Sequence, residues 1–121
     1  MTNPIQWFEI AVTDLERAKT FYARVFKLEF QLIEMPESKM YMFGVPGQVG
    51  AAGALVQSSE GKPSSDGTIV YFTCEDLAIE LERVAPAGGK LSIPKTDIGE
   101  FGFFAQCFDT EGNKIGLHSN I

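Results

Sequence analysis

Trp7-Phe-Glu-Ile-Ala-Val-Thr-Asp-Leu15 is followed, 62 positions on, by Ile69-Val-Tyr-Phe-Thr-Cys-Glu-Asp-Leu77. Each is an apolar run closed by an Asp-Leu pair that opens an amphipathic helical pattern. The same offset links the far ends, Gly53-Ala-Leu-Val56 and Ile115-Gly-Leu-His118. An internal repeat decides the architecture before any single element is read. Two copies of one strand–helix–strands unit imply a pseudo-two-fold fold with a cleft between the halves.

Outward from the first copy, residues 5–12 read as a strand. Side chains alternate along it, so Phe8, Ile10 and Val12 share one face and Trp7, Glu9 and Ala11 the other. Thr13-Asp-Leu-Glu16 fits a capping box with Thr13 as N-cap. The helix then runs to about Phe26, with Leu15, Ala18, Phe21, Tyr22 and Val25 at the spacing of one buried stripe. Residues 27–35 and 40–45 read as strands about a turn at Pro36-Glu-Ser-Lys39. A Gly/Pro loop over 46–50 leads to a small-residue strand over 52–57.

Ser58 to Gly67 holds turn formers throughout and reads as the linker. The second copy repeats the plan. A strand spans 68–74, and a helix runs from Asp76 to about Ala87, stopped by Gly88-Gly89. Strands follow over 90–94, 103–108 and 114–119, with a loop from Lys95 to Gly102 and a turn over Asp109-Thr-Glu-Gly112. Each unit is βαβββ. The expected fold class is α+β, one domain over 1–121, with tandem βαβββ modules over 5–57 and 68–120.

The chain has 121 residues, enough for one domain with a real core. No apolar run approaches the roughly 18–20 residues of a membrane span. The stretch Met1-Thr-Asn-Pro-Ile-Gln6 lacks the basic and apolar segments of a signal peptide. The cytoplasm is the expected compartment. A formal charge of −6 repels phosphate backbones and argues against a nucleic-acid partner. Cys74 and Cys107 sit in apolar strand-like runs without redox or zinc spacing, and read as buried, reduced thiols.

Asp14-Leu-Glu-Arg-Ala-Lys-Thr-Phe-Tyr22 resembles the "D-L-x-x-A-x-x-F-Y" signature that opens the vicinal-oxygen-chelate superfamily. That group includes glyoxalase I, bleomycin-resistance proteins and extradiol dioxygenases. Asp109-Thr-Glu-Gly-Asn-Lys-Ile-Gly-Leu117 is similar to its closing "D-P-x-G-N-x-I-x-L" motif. The resemblance covers nearly the whole chain. It implies cupped sheets, a homodimer and, in the enzymes, a divalent metal held by four His, Glu or Gln side chains. Carried onto this sequence, those four positions are Trp7, Ala54, Ile69 and Gly116. None can ligate through its side chain, so no metal or other cofactor is expected. A one-residue slip brings only Phe8, Leu55, Val70 and Ile115. A two-residue shift gives Glu9, Val56, Tyr71 and His118.

Glu9 shares the face of Trp7 and Ala11, which the family turns into the cup. There it reads either as a salt-bridged rim residue or as a desolvated carboxylate fit for acid–base work. His118, the sole histidine, shares its face with Gly116 and reads either as a near-terminal residue with backbone or solvent partners or as a group at the cup mouth, where an imidazole suits proton transfer. Trp7, Tyr71, Thr73, Phe104 and Gln106 fall on the same faces by alternation. Phe101 and Phe103 either thicken an aromatic wall or, as three Phe with Phe104 in a short span, belong first to the core. The Lys95–Gly102 segment reads first as a plain loop and otherwise as one that folds over the cup.

The expected function is therefore metal-free binding of a small organic molecule by Trp7, Glu9, Tyr71, Thr73, Phe104, Gln106 and His118. The rival is a lyase, isomerase or dioxygenase using Glu9 and His118 as catalytic groups, with or without a metal. A third reading makes the domain a protein-interaction module.

Overall fold

The computed structural model describes residues 3–121. The first two residues of the stretch inspected for a leader lie outside them. The chain forms β1 (Trp7–Ala11), α1 (Leu15–Phe26), β2 (Gln31–Met35), β3 (Ser38–Phe43) and β4 (Ala52–Ser58). It then forms β5 (Tyr71–Thr73), α2 (Leu77–Val84), β6 (Lys90–Asp97), a 3-10 turn over Gly99–Phe101, β7 (Phe103–Phe108) and β8 (Lys114–Ser119). Two four-stranded sheets result, ordered β1-β4-β3-β2 and β5-β8-β7-β6. In each the first strand pairs parallel to the last, and the remaining pairs are antiparallel. The fold is α+β, with mixed sheets, as the repeat implies.

Both helices cover the same side of their sheets. The α1 stripe of Leu15, Ala18, Phe21, Tyr22 and Val25 is buried as its periodicity requires. It meets Ile10, Tyr41, Phe43 and Leu55 in a core that continues through Phe72, Leu77, Val84, Ala105, Cys107, Ile115 and Leu117. One core thus serves both modules. Phe72 of β5 makes the join: its ring stacks on Phe26 with centroids 4.3 Å apart, and on Tyr22 at 5.6 Å. The modules pair within one chain.

Several local expectations are corrected. The N-cap of α1 is Asp14, not Thr13: its side chain accepts from the Arg17 N–H at 3.0 Å. Glu16 does not return to the cap but accepts the Tyr41 hydroxyl. The free N–H groups of Thr13 and Asp14 are instead taken by Glu111 of the other module. The strand expected from Lys27 begins only at Gln31, because Lys27 adopts φ 57 and closes α1 by donating to Ala23 O. The second helix ends at Val84, three residues early, and turns fill the path to Gly88-Gly89.

Strand β6 overruns its expected end at Pro94 and reaches Asp97. It can do so because it is an edge strand whose register shifts twice, where the N–H missing from proline is not needed. Strand β5 is shorter than expected, although the chain on either side keeps contact with β8 through Gly116 N to Val70 O and Cys74 N to His118 O. Cys74 and Cys107 are both buried and free. Among the described residues no helix is long and apolar enough to cross a membrane.

Candidate functional site

The faces turned away from the helices carry the candidate residues. Register places them in cross-strand rows. On the first sheet Glu9, Ala54 and Met42 form one row, with Trp7 beside Ala52 in the next. On the second sheet Tyr71, Gly116 and Gln106 form one row and Thr73, His118 and Phe104 another. Strand register puts all seven side chains on the sheet faces opposite the buried core. Trp7 and Tyr71 are 39% and 44% exposed, Glu9 and Thr73 are exposed, and Gln106 is buried.

The second-sheet set is brought together. The Tyr71 ring lies across Gly116, so close that a Cβ on Gly116 would collide with it. It reaches Gln106 on the next strand, whose Nε2 donates to the Tyr71 hydroxyl oxygen at 2.7 Å. The Phe104 ring stands 6.5 Å from that of Tyr71. Only glycine at position 116 permits this arrangement.

The first-sheet pair is joined separately: the Trp7 indole N–H donates to Glu9 Oε2 at 3.2 Å. Glu9 is exposed rather than desolvated, which removes the burial argument for it as an acid–base group. His118 Nε2 lies 2.6 Å from the Phe101 carbonyl oxygen. Glu9 and His118 therefore have different partners on different sheets.

Of the three Phe, the core reading holds for Phe103 and the wall does not extend to Phe101. Phe103 packs against the core with the Lys95 ammonium over its ring, and Phe101 stands 68% exposed at a loop tip. Phe104 alone of the three belongs with Tyr71. The expected loop from Lys95 shrinks to Ile98–Gly102, since Lys95 lies in β6 and pairs with Asp76 at 2.9 Å.

A divalent metal does not fit the four family positions. Trp7 offers an indole N–H, a donor only; Ala54 and Ile69 offer hydrocarbon; Gly116 offers nothing and is covered by Tyr71. Among the described residues no three His, Cys, Asp or Glu side chains converge elsewhere.

Sequence reading missed two features. A crevice of about 260 Å³ lies between the modules, lined by Glu9, Lys62, Ser64, Val70 and Lys114 among others. The second is the buried network at the motif ends. Asp109 Oδ2 accepts from the Tyr22 hydroxyl at 2.6 Å and from Asn113 Nδ2 at 3.0 Å. Its Oδ1 accepts the N–H groups of Glu111 and Asn113. Asn113 also donates to Ala11 O across the modules. Glu111, its side chain fully buried, pairs with Arg17 at 2.7 Å. The opening and closing motifs thus bond to each other, and their job is to staple the modules.

The charge pattern follows. Burial would raise the Glu111 pKa, but Arg17, the N–H groups of Asp14 and Thr13, and the Thr110 hydroxyl outweigh it and hold the carboxyl below its ordinary value. Burial, with the negative charge of Asp109 beside it, lifts Tyr22 well above the usual phenol range. Burial pushes both cysteine thiols to about 12.

A sequence model of the Glyoxalase/Bleomycin resistance protein/Dioxygenase superfamily matches residues 4–117. A glyoxylase-like domain-containing protein of Didymella fabae is 36% identical over 116 residues, covering 90% of this chain and 88% of that protein. Glyoxalase I from Zea mays superposes with a TM-score of 0.77 at 22% identity, covering 97% of this chain. The chain spans 46% of the maize enzyme. TnmS3, an antibiotic binding protein from Streptomyces sp. CB03234, superposes with a TM-score of 0.74 at 22% identity over 98% of this chain and 96% of its own.

Proposed function

This chain belongs to the Glyoxalase/Bleomycin resistance protein/Dioxygenase superfamily, and on that premise we propose that it binds a small organic molecule on the open faces of its sheets without a resident divalent metal. The observation that carries the reading is the replacement of all four family ligand positions by Trp7, Ala54, Ile69 and Gly116, with Tyr71 lying across the last. Trp7, Tyr71 and Phe104 supply apolar ring surface, and Glu9, Thr73, Gln106 and His118 supply polar atoms around it. A few placed polar groups on an aromatic wall suit a flat organic ligand. That TnmS3 shares the fold and is an antibiotic binding protein agrees with this use of it.

A homodimer in the cytoplasm belongs to the same proposal. Trp7, Met35 and Tyr71 leave apolar surface exposed on the open faces, which a second copy would shelter. The two free thiols suit a reducing compartment.

The test is thermal shift against a panel of small aromatic and polycyclic compounds, with and without EDTA. A ligand whose stabilisation is unchanged by EDTA supports the reading. Stabilisation that requires added zinc, manganese or nickel contradicts it.

One observation favours the rival, a lyase, isomerase or dioxygenase. The hydrogen bond to the Phe101 carbonyl makes Nε2 the protonated nitrogen of neutral His118 and leaves Nδ1 as a proton acceptor. That reading requires Glu9→Gln to abolish turnover while the fold survives.

A further inference from the structure

We propose that the Tyr71 hydroxyl is the specificity-determining donor of the open face, and that it selects ligands carrying an acceptor oxygen, a carbonyl or carboxylate, on a flat apolar body. The inference rests on the binding function proposed above and deepens it.

Tyr71, Gly116 and Gln106 stand in one row across β5, β8 and β7. The Tyr71 ring crosses that row over the bare backbone of Gly116, and Gln106 Nε2 donates to its hydroxyl oxygen at 2.7 Å. The phenol oxygen thus has its acceptor role filled by protein. Its own proton has no protein acceptor among the described residues, and Tyr71 as a whole residue is 44% exposed. A hydroxyl that accepts one hydrogen bond becomes a stronger donor of the next. The amide is held in place, since Gln106 is only 9% exposed.

The placement matters as much as the polarity. Gly116 is where the metal-dependent relatives, by the motif alignment, carry a ligating side chain. Here the ring of Tyr71 covers that position and its hydroxyl is presented beside it. A phenol O–H donor therefore stands on the strand next to that position, at Gln106. The Phe104 ring, 6.5 Å away and tilted by 51°, gives the ligand body a second apolar surface. The pseudo-two-fold mate of Tyr71 is Glu9, an acceptor whose Oε2 takes the Trp7 indole N–H. The two modules thus present opposite hydrogen-bonding character, and only the second offers a donor to a ligand oxygen from this row.

The experiment titrates acetophenone and ethylbenzene into the full chain, followed by 1H–15N chemical shifts of the Gln106 side-chain amide and the Trp7 indole. These probes share a body and differ in the acceptor oxygen. Wild type is expected to bind acetophenone about 5- to 10-fold more tightly, the worth of one net hydrogen bond. In Tyr71→Phe, which keeps the ring, the preference should fall to near unity while ethylbenzene binds as before. A preference that survives in Tyr71→Phe overturns this inference alone. If neither probe perturbs either reporter up to its solubility, the binding reading of the open face fails with it. Gln106→Ala, which leaves the phenol oxygen without its donor, should weaken acetophenone and spare ethylbenzene; equal loss of both probes would assign Gln106 a merely structural role and count against the proposal.

Discussion

Tyr22 and Asp109, 87 residues apart, meet in a buried hydrogen bond of 2.6 Å. Tyr22 closes the opening motif and Asp109 begins the closing one. Around them Asn113, just before β8, donates to Ala11 O, and Glu111 receives Arg17, Thr13 and Asp14. The two segments that identify the family are the two halves of one staple between the modules.

Tyr22→Phe keeps the ring stacking on Phe72 and removes only the donor. Asp109 retains three other hydrogen bonds, so the loss is expected to be about 1–2 kcal/mol of unfolding free energy. Urea denaturation with an unchanged slope would register it as a lower midpoint. A variant as stable as wild type would mean that the staple is not a source of stability.

The Glu111 carboxyl has its folded-state pKa below the ordinary value of 4.5. The unfolded chain therefore binds its proton first as pH falls. The stabilisation is complete above about pH 4.5 and is lost as pH drops through the lower folded value. Glu111→Gln should cost about 1–3 kcal/mol at neutral pH, and the gap to wild type should close in acid. Melting curves between pH 7 and pH 3 check the sign; a gap that widens in acid would contradict it.

How much of this was legible depends on which residues speak locally. The 62-residue offset linked the first and last strands of the two copies, and the strands between them were read from local apolar runs and turn residues. Alternation assigned Trp7, Glu9, Tyr71, Thr73, Phe104, Gln106 and His118 to the faces opposite the core, and the strand register agrees. The cap of α1 was misread because Thr13 and Asp14 are both residue types that cap helices, and the carboxylate that takes their own N–H groups, Glu111, lies about a hundred residues away, where no local pattern announces it. The end of β6 was misread at Pro94 because edge position is a property of the sheet and not of the segment. The crossing of Gly116 by Tyr71 was invisible for a similar reason: a glycine in a strand signals a close approach but does not name what approaches.

The thiols of Cys74 and Cys107, pushed by burial to about 12, are expected to be unreactive in the folded protein. Iodoacetamide at pH 8 should leave both unmodified in buffer and label both in denaturant, read by intact mass. Rapid labelling of either in buffer would place that thiol at an accessible surface.

Gly116→Ala puts a methyl group into the Tyr71 ring. The ring must leave Gln106 or the strands must part, and a cost of about 1–3 kcal/mol is expected. The Gln106 side-chain amide resonances should move with it. Wild-type stability together with an unshifted Gln106 amide would show that Tyr71 does not lie across position 116.

The most direct test of metal-independent binding is elemental mass spectrometry of protein incubated with zinc, manganese, nickel and iron in turn and then desalted. The donor-poor set of Trp7, Ala54, Ile69 and Gly116 predicts far less than one retained metal ion per chain for every metal. One ion per chain, lost on Glu9→Gln or His118→Ala, would contradict the account and place a metal centre on the open face.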